Sequence, residues 1–226
     1  KMKKAAVVSL NAPGFIGNRM LAGYTHQANM LLLEGALPNQ VDSALESFGM
    51  SMGPFRMLDL VGLDLGWRAR KLADIETPLA NKISDELCER DRFGQKNSKG
   101  FYNYSEGSRA PNPAPENEEI YKEISNKNNI ERREISDQEI IDRCILALVN
   151  EGARILEEGV AQRSGDMDKQ LIQNLSQLKV KNDIGYEHLD IAISFLEIQA
   201  AEVEWMLDID FEDNLLKNPI VPYEPQ

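Results

Sequence analysis

The sequence has few of the residues that carry metal, redox or proton-transfer chemistry. Its 226 residues include two cysteines, Cys88 and Cys144, and two histidines, His26 and His188. The cysteines lie far apart, without a C-x-x-C spacing or histidines at zinc-ligand spacing, so neither a disulfide framework nor a metal site is expected. Neither histidine has an adjacent carboxylate that would mark a general base. We interpret His26 as a solvated or hydrogen-bonded side chain.

An excess of positive charge and long apolar runs are also missing. The chain has 25 Lys plus Arg against 37 Asp plus Glu, a net charge of −12, which argues against a nucleic-acid or anionic-membrane partner. No apolar run approaches the roughly 20 residues that span a bilayer. The opening KMKKAAVVSL is too short for a signal peptide with its cleavage site. We therefore expect a soluble, intracellular protein.

Familiar catalytic and nucleotide-binding motifs are absent as well. The sequence contains no G-x-G-x-x-G, no P-loop, no G-x-S-x-G and no H-E-x-x-H. Its paired acidic residues, Asp166 with Asp168 and Asp208 with Asp210, have no EF-hand spacing. We interpret them as solvated surface.

Apolar residues at helical spacing occur through most of the sequence. A β-branched run at residues 5–10 predicts one strand that ends at Asn-Ala-Pro-Gly, and no further strand is predicted. From Met20 the apolar positions step by three and four until Gly35, which predicts an amphipathic helix. Further helices are predicted over residues 39–48, from Pro54 onward, and over residues 67–72 and 79–87.

A Pro-rich segment separates two regions that resemble each other. Residues 105–119, SEGSRAPNPAPENEE, predict a linker or an exposed connection. At an offset of 124 residues the matched pairs are Arg19 with Arg143, Leu32 with Leu156, Glu34 with Glu158, and Gly35 with Gly159. Chance matching of two amphipathic helices is the alternative, but the shared Arg and Glu-Gly favour duplication.

The repeat also suggests a task for its arginines. We expect Arg19 and Arg143 to pair with carboxylates between the helices. An aspartate follows each Glu-Gly, at Asp42 and at Asp168, with the second spacing two residues longer.

The last third of the chain has its own apolar pattern. Steps of four and three form a short heptad-like seam that consists of Leu189, Ile193, Leu196, Ala200, Val203 and Leu207. The seam is interpreted as ordinary core. A partner helix from a second chain is the alternative.

The stretch NAPGFIGNRM, residues 11–20, places polar side chains where a strand and a Pro-Gly break lead into a helix. Asn18 would lie near the helix N-terminus, at the positive end of the helix dipole. Its amide offers both a donor and an acceptor to a ligand oxygen. Spacing alone leaves two roles open, a helix cap and a ligand contact, and it favours the cap.

The motifs carry a resemblance to a known family. GFIGNRM, LLLEGALPNQVDSALESFGMSMGPFRMLDLVGLDLGW and RFGQKNSKGFYNY resemble the C-terminal part of 3-hydroxyacyl-CoA dehydrogenases. EIIDRCILALVNEGARILEEGVAQRSGDMD resembles the second such repeat of multifunctional fatty-acid β-oxidation enzymes. LCERDRFGQK is most similar to the peroxisomal bifunctional type, which joins an enoyl-CoA hydratase to the dehydrogenase. The motifs cover residues 5–168, whereas residues from Lys169 onward do not match the family.

The resemblance implies a mainly α fold, with two tandem helical-bundle units packed as an internal pseudo-dimer. A monomeric chain is expected, and weak self-association through the surface where the upstream Rossmann domain would dock is the alternative. Residues 1–10 would be the last strand of a missing dinucleotide-binding domain. Residues 11–104 would be the first helical domain, 105–119 the linker, and 120–226 the second repeat with a divergent tail.

The resemblance also implies an activity, the NAD-dependent oxidation of (3S)-3-hydroxyacyl-CoA in fatty-acid β-oxidation. The family's His-Glu dyad and glycine-rich NAD loop precede the GF-x-x-NR motif, so this chain alone is expected to be inactive. NAD would bind the upstream Rossmann domain and no cofactor would bind here. The alternative is a noncatalytic helical interaction module derived from the family.

Site residues follow from the same resemblance. Asn18 matches the family's active-site Asn, which contacts the substrate oxygen and helps to place the histidine. Gly53, Pro54 and Phe55 match a segment that lines the acyl side of the cleft, although they would equally serve as a helix start with a core Phe. Acyl-CoA is the implied substrate. A peroxisomal location is implied, although PYEPQ differs from a Ser-Lys-Leu signal, and mitochondria and cytoplasm stay open.

Overall fold

The computed structural model describes residues 8–105 and 108–163, which are mainly helical. The helices are α1 (Gly17–Glu34), α2 (Pro38–Phe48), α3 (Pro54–Val61), α4 (Asp64–Ala73), α5 (Lys82–Glu89), α6 (Glu118–Lys127) and α7 (Asp137–Glu157). Two short strands, β1 (Asn103–Tyr104) and β2 (Pro111–Asn112), pair antiparallel. The predicted helices correspond to α1 through α5, and the mainly α class is confirmed.

Contacts divide the described residues into two compact units. One unit consists of residues 24–147, and the other of residues 8–23 with 148–163. Helices α1 and α7 each contribute residues to both units. The domain boundaries expected from the sequence stay a prediction. Asp168 and the seam at residues 189–207 lie outside the described residues.

The core of the 24–147 unit is built from the apolar faces of its helices. Fully buried side chains include Leu31, Leu45, Phe55, Leu87, Phe101 and Ile120. The rings of Phe55 and Phe101 lie 4.7 Å apart between centroids. Since Phe55 is in α3 and Phe101 lies just before β1, this contact fixes the start of α3 against the aromatic segment that follows α5.

Gly35 ends α1 at a place where no other residue fits. Its φ is 136°, and an added Cβ would lie 2.0 Å from the carbonyl oxygen of Arg133. The N–H of Ala36 donates to the carbonyl of Leu31 at 3.0 Å and closes the last turn. The helix stop that the sequence predicted at Gly35 is therefore confirmed, and the close approach of Arg133 explains it.

The strand pair corrects the expectation that no strand would follow residues 5–10. Strands β1 and β2 are two residues long each, too short to show an alternating pattern in the sequence. Their pairing draws part of the predicted linker onto the unit, since β2 lies within residues 105–119. In the same segment Asn117 is buried and donates to the carbonyl of Gly100 at 3.1 Å.

Only residues 8–10 of the predicted N-terminal strand are described. Ser9 forms an antiparallel bridge with Ala161, and the N–H of Leu10 donates to the carbonyl of Val160 at 3.0 Å. The residues that lead into α1 are thus held by the residues that follow α7. Among the helices that the structure describes, none is long and apolar enough to cross a membrane.

Candidate active site

A strained turn leads from the Ser9 bridge into α1. The N–H of Phe15 donates to the carbonyl of Ala12 at 3.0 Å, and Gly14 has a φ of 75°. With Pro13 before Gly14, this geometry is typical of a type II turn. Phe15 then has a φ of 50° and is 56% exposed. A large residue in the left-handed region is a local strain, and such strain is often found at functional sites.

Asn18 is the second residue of α1 and its side chain is exposed. The first hydrogen bond of the helix runs from the N–H of Met20 to the carbonyl of Ile16 at 3.1 Å, so Asn18 lies inside the first turn. Its amide makes no side-chain hydrogen bond to any residue that the structure describes. The capping role that spacing favoured is therefore not observed, and the amide is available at the positive end of the helix.

Arg19, the next residue, is held by two glutamates, Glu151 within α7 and Glu158 directly after it. Its Nε donates to Glu151, and its two terminal nitrogens donate to the Glu158 carboxylate at 2.5 and 2.8 Å. The hydrogen bonds to Glu158, ahead of those to Glu151, raise the pKa of Arg19. The same contact lowers the pKa of Glu158. We name Arg19, Glu151 and Glu158 the first clamp.

Arg143 of the second repeat makes an equivalent set of contacts with two residues of the first repeat. The Nε of Arg143 donates to Gln27 at 3.1 Å, and its terminal nitrogens donate to the Glu34 carboxylate at 2.5 and 2.8 Å. The offset of 124 residues converts Arg19 into Arg143, Gln27 into Glu151, and Glu34 into Glu158. We name Arg143, Gln27 and Glu34 the second clamp. The expected pairing of both arginines with carboxylates is confirmed.

The Gly53-Pro54-Phe55 segment lies in the 24–147 unit and is buried. Asp42 of α2 accepts hydrogen bonds from the N–H groups of Phe55 at 2.9 Å and Arg56 at 3.0 Å. A Cβ added at Gly53 would lie 2.3 Å from the Asp42 side chain. The segment is therefore a helix start that is capped from α2. Asn18 lies in the other unit.

Two carboxylates, Asp42 and Asp59, organise the surroundings of this segment, and nothing in the sequence indicated that they are buried. Asp59 accepts from the N–H groups of Phe101 at 2.9 Å and Tyr102 at 3.0 Å, and from the Tyr104 hydroxyl at 2.9 Å. The hydroxyl of Tyr102 donates to Asp42 at 2.7 Å, so Tyr102 connects both carboxylates. The RFGQKNSKGFYNY motif thereby contributes its aromatic end to a buried polar network.

Burial sets the protonation of these groups. It raises the pKa of Asp42 to about 7 against the opposing effect of the Tyr102 and backbone hydrogen bonds. Burial likewise raises the pKa of Asp59 to about 6. In the sequence, the only feature that drew attention to either carboxylate was the position of Asp42 after the Glu-Gly pair. The tyrosines lie more than 40 residues further along, beyond the reach of any local pattern.

The described residues do not suit a dinucleotide or a metal. A dinucleotide loop needs glycines and free N–H groups between strand and helix, whereas the connection into α1 contains Pro13, which has no N–H, and the bulky Phe15. No group of three or more potential metal ligands occurs in the part of the chain that the structure describes. His26 is half-buried, and burial, followed by the Arg143 charge, lowers its pKa.

Comparisons with known proteins agree with this architecture. Residues 14–104 match the family model for the 3-hydroxyacyl-CoA dehydrogenase, C-terminal domain. The chain is 44% identical to the peroxisomal bifunctional enzyme of Homo sapiens over 183 residues, which cover 74% of the chain and 25% of that protein. The corresponding protein of Danio rerio is 43% identical over 183 residues, covering 74% of the chain and 26% of that protein.

More distant relatives and one solved structure extend the match. The fatty acid oxidation complex subunit alpha of Shewanella sp. (strain MR-4) is 36% identical over 173 residues, covering 74% of the chain and 24% of that protein. The crystal structure of the dehydrogenase part of multifunctional enzyme 1 from C. elegans aligns with a TM-score of 0.60 at 31% identity, covering 71% of the chain and 36% of that chain. The resemblance found in the sequence is confirmed. The chain spans about a quarter of the length of its curated relatives.

Proposed function

We propose that this chain is the C-terminal, substrate-side part of an NAD-dependent (3S)-3-hydroxyacyl-CoA dehydrogenase of fatty-acid β-oxidation. The observation that carries the proposal is the match of residues 14–104 to the family's C-terminal domain, which begins at the strained turn before Asn18. The relatives named for peroxisomal bifunctional enzymes and for fatty acid oxidation subunits support the same pathway.

Asn18 is the residue of this chain that we assign to the chemistry. Its exposed amide, in a helix first turn, can donate to the oxygen of an acyl-CoA that is a hydroxyl before the reaction and a carbonyl after it. A donor already in place stabilises negative charge as it develops on that oxygen. NAD, which we propose binds outside this chain, would serve as the hydride acceptor.

Gly53, Pro54 and Phe55 are proposed to form a wall on the acyl side of the cleft. The support is their rigidity, because Asp42 holds the backbone N–H groups of Phe55 and Arg56 and leaves no space for a side chain at residue 53. A wall built from fixed backbone keeps its shape when an acyl chain is bound.

The two repeats are proposed to pair within one chain as an internal pseudo-dimer. Each clamp supports this, because Arg19 of the first repeat binds Glu158 of the second, and Arg143 of the second repeat binds Glu34 of the first. Such reciprocity is the pattern of a two-fold interface. Sedimentation of a monomer near 25.5 kDa is the expected result. A peroxisomal location is proposed from the named relatives alone.

The test of the proposed function is reconstitution. The chain is mixed with the separately expressed upstream dehydrogenase part of the Danio rerio relative, and NADH oxidation with acetoacetyl-CoA is followed. Each part alone should show no NADH oxidation, and activity should appear on mixing. Activity of this chain by itself would contradict the proposal. Silence after demonstrated association of two folded parts would favour a noncatalytic interaction module instead.

A further inference from the structure

The first clamp begins one residue after Asn18, and the helix geometry links the directions of the two side chains. Successive residues of an α-helix project about 100° apart around its axis. Arg19 is directed to Glu151 and Glu158 of the α7 segment. Asn18 therefore projects away from those glutamates, which agrees with its exposure. Any rotation of the first turn that breaks the clamp also redirects the amide.

The first turn is held by the burial of Ile16 and Met20, but few hydrogen bonds fix its orientation. The helix has no internal hydrogen bond before the one from Met20 to Ile16, and helix ends fray for this reason. The residue before Ile16 is the strained Phe15, with a φ of 50°. The strained turn favours relaxation of the backbone. The clamp therefore adds an outside contact to the burial of Ile16 and the pairing of Leu10 with Val160.

The geometry of the clamp allows it to hold the first turn of α1 in one orientation. Three nitrogens of the planar Arg19 guanidinium donate to two carboxylates. A planar fork bound at three points fixes orientation as well as distance, which a lysine ammonium cannot do. Both glutamates belong to the second repeat, so the second repeat reaches the Asn18 region through this contact.

We propose that Arg19, together with Glu158 and Glu151, is a positioning residue that fixes the direction of the Asn18 amide for the hydride-transfer reaction. The proposal rests on the proposed function. It gives the second repeat a task in catalysis, because two of its side chains hold the first turn of α1. The second clamp serves as an internal control, since Asp142 stands in the place of Asn18 there.

The experiment uses the reconstituted enzyme and two matched variants, Glu158→Gln in the first clamp and Glu34→Gln in the second. Glu158→Gln should lower kcat about tenfold with KM changed less than about twofold, because misplacement of a reacting group costs rate more than binding. Arg19→Lys should lower kcat similarly, since lysine keeps the charge but loses the fork. Glu34→Gln should leave kcat unchanged. Backbone amide exchange at Met20, whose N–H donates to the carbonyl of Ile16, should be faster in Glu158→Gln but not in Glu34→Gln.

The outcomes separate this proposal from the proposed function. With an active wild-type enzyme, an unchanged kcat in Glu158→Gln overturns the positioning role. An equal loss in Glu34→Gln overturns it too, because it would show general destabilisation. If the wild-type mixture is silent, the proposed function fails, and amide exchange alone decides. Faster exchange confined to Glu158→Gln then supports the positioning of the first turn, and unchanged exchange overturns it.

Discussion

The first and second clamps share a two-point contact from arginine to one glutamate, but they differ in the partner of Nε and in the residue that precedes the arginine. Asn18 precedes Arg19, whereas Asp142 precedes Arg143. In both clamps the two terminal nitrogens donate to one glutamate at 2.5 and 2.8 Å, and Arg143 also donates to Glu139 at 3.4 Å. The second repeat therefore has the clamp but has no side-chain amide at the position of Asn18. The comparison teaches that the clamp is an architectural feature of the repeat, and that Asn18 is what the first copy adds to it.

The glycines that follow the two clamp glutamates differ in a second way. Gly35 and Gly159 both have positive φ, 136° and 69°. A Cβ at Gly35 would lie 2.0 Å from the Arg133 carbonyl oxygen, whereas a Cβ at Gly159 would meet nothing within 4 Å. The same sequence pair, Glu-Gly, is thus sterically enclosed in one copy and open in the other.

Alanine at each glycine tests this difference and should give the largest effect. Gly35→Ala should lower the free energy of unfolding by about 4 kcal/mol, because it adds a backbone collision to an unfavourable φ. Gly159→Ala should cost only about 1 kcal/mol, the price of a left-handed residue that is not glycine. Urea unfolding of both variants measures the difference. An equal loss of unfolding free energy in both variants would show that Arg133 does not lie against Gly35.

Substitution of Asp42, which follows the Glu34-Gly35 pair in the chain, should give the next largest effect. Asp42→Ala leaves the N–H groups of Phe55 and Arg56 and the Tyr102 hydroxyl without their acceptor. We expect the free energy of unfolding to fall by about 3 kcal/mol. Asp42→Asn is the control and should lose less, since its amide oxygen still accepts. A loss in Asp42→Ala below that of Asp42→Asn would contradict the network.

Neutralising each clamp glutamate should separate stability from activity. Glu34→Gln should lower the free energy of unfolding by about 1 kcal/mol, because the Glu34 side chain is 21% exposed and its ion pair is little screened. Glu158→Gln should lower it less, since Glu158 is 50% exposed. Thermal and urea unfolding measure this order. The reverse order would show that the first clamp carries more of the stability.

The smallest expected effect is a pH dependence of the first clamp. The hydrogen bond from Arg19 lowers the pKa of Glu158 below its ordinary value of 4.5. A carboxylate with a lowered folded-state pKa contributes stability above the unfolded-state pKa, and this contribution disappears as pH falls through the folded-state value. The contribution should therefore begin to fall near pH 4.5 and vanish below the lowered folded-state pKa. Carboxyl NMR titration should show a higher pKa for Glu158 in Arg19→Lys, and an unchanged pKa would refute the contact.

The sequence predicted the helices and the clamps better than it predicted the buried polar groups. Steps of three and four residues ended at Gly35 and defined α1, and Pro54 marked the start of α3. The self-comparison at 124 residues predicted the pairing of the arginines with carboxylates. These features are local or repeated, and periodicity detects both.

The buried network could not be predicted because its signal is not local. Asp42 and Tyr102 are bonded across 60 residues, and Asp59 and Tyr104 across 45. An aspartate in an amphipathic pattern resembles a solvated residue until its partners are known. The strands β1 and β2 were missed because two residues cannot show a period of two. The role proposed for Asn18 came from the family resemblance, since spacing alone favoured a cap.

The most direct test of the central claim is kcat for NADH oxidation by the reconstituted enzyme with Asn18→Ala beside Asp142→Ala. The two variants change the same repeat position, and neither side chain belongs to a clamp. Asn18→Ala should lower kcat about a hundredfold, as loss of one preorganised donor does, while Asp142→Ala should keep wild-type kcat. If both variants, or neither, lose activity while the wild-type mixture is active, Asn18 is not the catalytic amide of the first copy.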